Sequence, residues 1–393
     1  MIIPEANRLN HVKEYYFSRK LQEIRDMQAQ GKDVINLGIG NPDFAPSEAT
    51  IEALMQSANN PANHGYQSYK GVPELRSAIA GWYTRIYNVA LDPDREILPL
   101  IGSKEGIMHI SMAFLNEGDE VLVPNPGYPT YTSVSRLVGA KIKTYNLDEN
   151  NDWGIDVHQL KNMDLSRVKI MWVNFPNMPT GANGSDGLFN ELIALARENK
   201  FLICNDNPYS LILNNNPRSL LKYEGAMEVM LELNSLSKSH NMAGWRLGWV
   251  SGQADYINTV LKVKSNMDSG MFLGLQHAAI EAMNNTDDWH REQNKIYEQR
   301  RALTWELLDL LDCRYNKNQT GMFVWAKVPE RVEHVEKFLD ELLHGAHVFI
   351  TPGFIFGSNG ERFVRASLCN KVEVVKDAMV RIEKFVKSNI AKV

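Results

Sequence analysis

The chain has 393 residues, 44% of them hydrophobic and 23% charged, and 42 Lys and Arg stand against 47 Asp and Glu for a net charge of −5. This size and composition exclude a disordered, collagenous or coiled-coil protein, and a core this large needs no disulfide or metal to hold it. Acid is in slight excess and no basic run is interleaved with aromatics, so no nucleic-acid partner is expected. No membrane partner is expected either: no apolar run reaches the ~18 residues of a spanning helix, and the opening MIIPEANRLN does not read as a secretion signal.

The middle of the chain alternates helical patterns with short apolar runs. Lys104–Leu115 reads as a helix, Glu120–Val123 and Lys141–Tyr145 as strands. Val168–Asn174 and Phe201–Asn205 read as strands flanking an amphipathic helix at Leu188–Glu198, and Val229–Leu236 as a further strand. These runs are continuously apolar, the pattern of a mostly parallel sheet covered on both faces. Further on, helical stretches at Arg331–Leu343 and Lys371–Lys387 bracket strand-like runs at Ala346–Thr351 and Phe363–Ser367, which suggests a smaller α+β lobe. Cys204, Cys313 and Cys369 are odd in number and outside any CxxC motif, so a reduced, cytoplasmic chain with three small buried thiols is expected. No metal-ligand spacing stands out.

In an open α/β sheet ligands gather at the carboxyl ends of the strands. There the sequence carries Asn174 to Asn177, Asp206 with Tyr209, Ser235 and Ser237 with Lys238, and Arg246 in GWRLGW. Residues 102–106, GSKEG, open the first predicted helix, whose free N–H groups suit an anion. Taken singly, each has an ordinary structural explanation: an N-cap, a solvated lysine, a turn aspartate. Taken together they form the set that pyridoxal 5′-phosphate uses: a lysine to bond its carbonyl, an acid for its ring nitrogen, and amides, hydroxyls and a guanidinium for its phosphate. A dinucleotide fold resting on Gly38 and Gly40 is rejected, because Pro42 follows and no third glycine comes at the required spacing.

The chain resembles the class I and II aminotransferases of fold type I, in the aspartate aminotransferase superfamily. The resemblance rests on eight segments in matching order: LGIGNPDF (37–44), GYQSYKGVPELR (65–76), GSKEG (102–106), NPGYPTY (125–131), NFPNMPTG (174–181), NDNPY (205–209), SLSKSHNMAGWRLGW (235–249) and RFVRASL (362–368). It implies that Lys238 bonds the cofactor and shuttles a proton, that Asp206 faces the pyridinium nitrogen, and that Tyr209 bonds the ring hydroxyl. Gly102, Ser103 and Lys104 match the phosphate-binding loop, and Ser235, Ser237 and Arg246 the side-chain phosphate ligands. Tyr128 matches the residue stacked on the ring, Tyr66 a tyrosine reaching the neighbouring subunit's cofactor, and Arg365, with the backbone of Gly40, the clamp on the substrate α-carboxylate.

One motif departs from the family. Where it reads Asn-Asn-Pro-Thr-Gly, this chain has Met178 after Asn177, so the usual donor to the ring oxygen is missing; Asn177 is expected to replace it, the alternative being that Tyr209 carries the ring oxygen alone. The resemblance further implies a large cofactor-binding domain over 44–285, a small domain over 286–393 joined by residues 1–43, and a homodimer with shared sites. The activity implied is ping-pong transfer of an amino group from an L-amino acid to a 2-oxo acid, with glutamate and 2-oxoglutarate as one couple; a carbon–sulfur β-lyase is the alternative. No second arginine for a distal carboxylate can be assigned, with Arg19 and Lys104 as candidates, and the aromatic cluster Tyr15-Tyr16-Phe17 is a candidate wall for the substrate side chain. Aspartate, aromatic amino acids, methionine, alanine and LL-diaminopimelate all stay open as donors, and the resemblance of the GSKEG, SLSKS and MDSGMF segments leans toward the diaminopimelate type.

Overall fold

A computed structural model describes residues 2–11 and 16–390; Tyr15 lies outside them. Seven strands form the main sheet: β2 (Ile97–Leu100), β3 (Glu120–Asn125), β4 (Lys141–Asn146), β5 (Val168–Val173), β6 (Leu202–Asp206), β7 (Met230–Ser235) and β8 (Gly248–Gly252). Their spatial order is β2-β8-β7-β6-β5-β3-β4, and β8 alone runs against the rest. Both faces are covered, as the continuous apolar runs require. Met171, Val173 and Ile203 enter one buried cluster while Ile170, Trp172 and Cys204 enter another, the period-two alternation of strands packed on both sides.

The predicted elements of the middle region appear within a few residues of their expected bounds. The helix read at Lys104–Leu115 is Ser103–Phe114, and that read at Leu188–Glu198 is Asp186–Asn199, started by the Ser185 side chain accepting from Leu188 N. Two expectations in the C-terminal third shift. The helix expected from Arg331 begins at Val335, after the Pro329–Val332 turn, and runs to Ala346. The single run expected over Ala346–Thr351 divides into β11 (Val348–Phe349) and β12 (Thr351–Pro352), which join different sheets. β11 pairs in parallel with β1 (Ile35–Asn36), whereas β12, β13 (Phe363–Ser367), β10 (Phe323–Lys327) and β9 (Arg314–Tyr315) form an antiparallel sheet. All three cysteines are free and buried. Among the described residues no helix is long and apolar enough to cross a membrane.

The segment after β1 is sewn to this second sheet. Leu37 N donates to Phe349 O at 2.9 Å and Ser367 N to Leu37 O at 2.7 Å, while Asp43 accepts two hydrogen bonds from Arg300, at 2.7 and 2.9 Å. The LGIGNPDF stretch thereby crosses between the two sheets. On the main sheet the reversed direction of β8 brings Gly248 opposite both Ser235 and Leu100, so three chain segments meet at one corner. A Cβ on Gly248 would lie 2.8 Å from Ser103 N and 2.8 Å from Asn234 O, both backbone atoms that cannot swing aside. Gly248→Ala is therefore expected to cost ~1–3 kcal/mol by overpacking and to loosen the turn at Ser103. A thermal melt several degrees below wild type, together with faster loss of cofactor on dialysis, is the outcome to look for.

Candidate active site

A cavity of about 440 Å³ opens at the carboxyl edge of the main sheet, closed on its far side by the LGIGNPDF segment and the antiparallel sheet. Its lining includes Ser103, Lys104, Tyr128, Asp206, Tyr209, Ser235, Ser237, Lys238, Arg246, Gly40 and Arg365. Residues from distant parts of the chain thus share one chamber.

At one end the helix Ser103–Phe114 begins without a side-chain N-cap, so its first N–H groups remain available. Glu105 braces this turn: its carboxylate accepts from Ile101 N and lies 2.6 Å from His109 Nε2. Gly102 has φ +84°, and a Cβ there would strike the Arg246 guanidinium. Only glycine lets the arginine lie flat against this backbone. Ser235 and Ser237, both buried, add hydroxyls from the end of β7 and the short helix that follows it. A helix N-terminus, two hydroxyls and a guanidinium make a dianion site.

At the centre Asp206 closes β6 and is 5% exposed. Its Oδ2 accepts from Tyr131 Oη at 2.9 Å, and Tyr131 lies flat on Trp172 with ring centroids 5.1 Å apart. Its Oδ1 is buried and has no hydrogen-bond partner among the described residues. Burial pushes this carboxyl up to about 6, against the Tyr131 hydroxyl, the Lys238 charge and the nearby Ser103 hydroxyl, which pull it down. A protonated ring nitrogen would satisfy the orphaned oxygen and offset the cost of burying it, so the donor set fits pyridoxal 5′-phosphate. Lys238 Nζ donates to Gly40 O at 2.6 Å. Burial lowers its pKa; Cys369 and Asp206 oppose that shift, and the Arg365 and Arg246 charges add to it. The environment thus favours the neutral amine that proton transfer needs. Tyr128 and Tyr209 border the same space, and burial holds the Tyr209 phenol well above its ordinary value.

At the other end Arg365, on β13 and 5% exposed, faces the cavity. Nη2 donates to Gly38 O at 2.7 Å and Nη1 lies 3.1 Å from Met178 Sδ. The rings of Phe323 and Phe356 lie 3.9 and 4.7 Å from its Cζ, and that of Phe17 5.7 Å away. Aromatic faces on a guanidinium hold it in one plane, the geometry that suits a planar carboxylate.

Asn177 does not take the place expected of it. Its Oδ1 accepts from Thr180 Oγ1 at 2.8 Å and Thr180 N at 3.3 Å within its own turn, and it is not part of the cavity wall. Asn174, three residues earlier, lines the cavity; its amide donates to Asp206 O and its Oδ1 accepts from Met178 N at 2.7 Å. Tyr66 is 93% exposed and takes no part in the wall of its own chain's chamber. Sequence reasoning passed over Tyr131, although it closes the quoted NPGYPTY segment, and over Phe323 and Phe356. Of the N-terminal aromatic cluster, Phe17 reaches the chamber.

The comparisons with known proteins agree with this geometry. The family described as aminotransferase class I and II matches residues 32–382. A protein named LL-diaminopimelate aminotransferase from Desulforudis audaxviator is 40% identical over 384 residues, covering 97% of this chain and 98% of its own. Among solved structures, apo-BacF of Bacillus subtilis superposes with a TM-score of 0.93 at 35% identity over 97% of this chain and 98% of its own. A mutant aspartate aminotransferase of Thermus thermophilus gives 0.91 at 25% identity over 98% and 100%. The chain belongs to the class I and II aminotransferases, enzymes of fold type I that move amino groups with pyridoxal 5′-phosphate as cofactor.

Proposed function

We propose that this enzyme transfers the amino group of an L-amino acid to 2-oxoglutarate, forming glutamate, in two half-reactions of a ping-pong cycle. The observation that carries the reading is the pairing of a buried carboxylate lacking one donor, Asp206, with a lysine whose charge is disfavoured, Lys238, in one chamber. When bound, the cofactor supplies a conjugated pyridinium that takes up the electron pair released at the substrate Cα. Asp206 keeps the ring nitrogen protonated; a charge pair near 4 Å at an effective dielectric of about 20 is worth ~4 kcal/mol. The Lys238 amine carries the proton away from Cα, and Arg365 fixes the α-carboxylate so that this proton points at Lys238. Ser103 N and Lys104 N, with Gly102, Ser235, Ser237 and Arg246, would hold the phosphate. Tyr128 would stack on the ring and Tyr209 bond its hydroxyl, with Asn174 in place of Asn177 beside it.

A division into a large domain over 44–285 and a small one over 286–393, joined by residues 1–43, is supported by the separate sheets and by the bonds from Leu37 to Phe349 and Ser367. A homodimer is supported by surface: the chain exposes 18,028 Å², against roughly 15,600 Å² for a folded monomer of this mass. The exposed Met55, Tyr66, Met267 and Phe272 are candidates for the covered face, with Tyr66 completing the partner's phosphate site. A cytoplasmic location fits three free, buried thiols.

The visible spectrum of the holoenzyme tests the activity: its absorbance band should fall with an amino donor and return with 2-oxoglutarate. Lys238→Ala should lose the band and at least about 10²-fold in rate while its circular dichroism stays native. Asp206 gives a pH signature in the apoprotein. Its folded pKa, about 6, lies above the unfolded value of ~3.9, so its ionisation opposes folding above pH 6 and not below pH 4. Apo Asp206→Asn should therefore melt higher than apo wild type at pH 8, by the equivalent of ~2–3 kcal/mol, with the gap closing at pH 4. Sedimentation of the native protein should report a mass near twice 44.6 kDa.

A further inference from the structure

We propose that Glu232 is a positioning residue for the amino-transfer reaction, tying together from beneath the sheet the strand ends whose chain neighbours line the chamber. The inference rests on the roles proposed above for Asp206, Tyr209 and Ser235 and adds the groups that hold them in place. Asn205 and Asp206 are successive residues of β6, so their side chains leave opposite faces of the sheet. On one face Tyr131 braces Asp206. On the other Asn205 meets Glu232, its direct partner in the β6–β7 pair, and both are fully buried.

Glu232 Oε2 accepts from Asn205 Nδ2 at 2.9 Å and from Leu220 N at 3.0 Å, and Oε1 accepts from Tyr83 Oη at 3.0 Å. Asn205 Oδ1 accepts in turn from Phe175 N at 3.2 Å, so one carboxylate and one amide join the ends of β5, β6 and β7. Tyr87 lies one turn after Tyr83 on the helix Pro73–Tyr87, and the two rings meet edge-on with centroids 5.2 Å apart. Its hydroxyl shares a hydrogen bond with Ser210 Oγ and accepts from Asn234 Nδ2 at 3.2 Å, while Asn234 Oδ1 accepts from Ser235 N at 2.8 Å. Each residue held from below is the chain neighbour of one that lines the chamber: Phe175 of Asn174, Asn205 of Asp206, Ser210 of Tyr209 and Asn234 of Ser235. Burial raises the pKa of Glu232, and the bonds from Asn205, Leu220, Ser219 and Tyr83 oppose that shift. A hydrocarbon side chain of similar volume would fill this place without the cost of burying a charge. What the carboxylate adds is direction, because its acceptors fix donors from three separate segments at set angles. That precision matters at the tips above, where a misplacement of about 1 Å can cost ~10²-fold in rate.

The test takes two readouts on the holoenzyme: the rate at which pyridoxal 5′-phosphate is lost on dilution, and single-turnover loss of the cofactor band with L-glutamate. Glu232→Ala should speed cofactor loss and slow the limiting turnover step by at least about tenfold each. The half-saturating glutamate concentration should stay within about threefold of wild type, because Arg365 stands on the other sheet. Glu232→Gln, whose amide oxygen still accepts from Asn205 and Leu220, should recover both readouts to within about threefold. Tyr83→Phe and Tyr87→Phe, each short of one oxygen, should move them the same way to a smaller degree, and they carry the test if Glu232→Ala does not fold. Ile79→Ala is the control: fully buried on the same helix, it should lower the melting temperature and leave both readouts at wild type. Wild-type readouts in folded Glu232→Ala or in both tyrosine variants would overturn the proposal, as would equal losses in Ile79→Ala or no recovery in Glu232→Gln. A wild-type band that glutamate does not alter would strike the proposed amino couple instead, while cofactor loss would still decide the role of Glu232.

Discussion

A carboxylate buried at the end of a strand is a strain that the surrounding structure must relieve. Asp206 is buried at the tip of β6, with one oxygen held by Tyr131 and the other facing the chamber without a donor. A neutral cavity would leave that side chain half protonated near pH 6. A cationic ring nitrogen in front of it removes the penalty and gains the Coulomb attraction together, so cofactor affinity and the electron demand of the reaction share one cause. Tyr131 stacked flat on Trp172 keeps the acid from turning toward any other partner.

The rest of the chamber follows from where the sheet ends. β5, β6 and β7 stop together, and the turns beyond them carry Asn174, Tyr209 and Lys238. The substrate half is a separate construction, contributed by Gly38, Gly40 and the antiparallel sheet. The Gly38 carbonyl accepts from both Arg365 and Thr351, and the Gly40 carbonyl accepts from Lys238. One short stretch of backbone thus touches both Lys238 and Arg365, through carbonyls two residues apart.

What could be read in the sequence divides along physical lines. The parallel strands were legible because burial on both faces makes them continuous apolar runs, and the residues at their tips because polar groups there have few structural uses in combination. β8 was not legible: Gly-Trp-Val-Ser-Gly is short, begins and ends in glycine, and follows a motif that reads as loop. Tyr131 was missed, and Asn174 was placed at a strand end without a role, since their partners are 75 and 32 positions away and only the sheet order brings them to Asp206. Asn177 was expected in the chamber on motif position alone; its oxygen is tied to Thr180 within its own turn, and the residue stands outside the cavity wall. The apolar wall around Arg365 draws on distant segments, none of which signals a pocket by itself.

The reversed strand has a further consequence. Residues 236–247, which carry Lys238 and Arg246, leave the sheet at Ser235 and return at its paired neighbour Gly248. Both ends of this loop are clamped at the same rung of one ladder, and the acid and the phosphate-end helix are anchored to the same slab. Any swing of the antiparallel sheet would therefore carry Arg365 and leave lysine, acid and phosphate seat as a single rigid tray. With the roles proposed above, the groups that hold the cofactor and the group that holds the substrate carboxylate would sit on separate sheets, and the two affinities would be free to evolve apart.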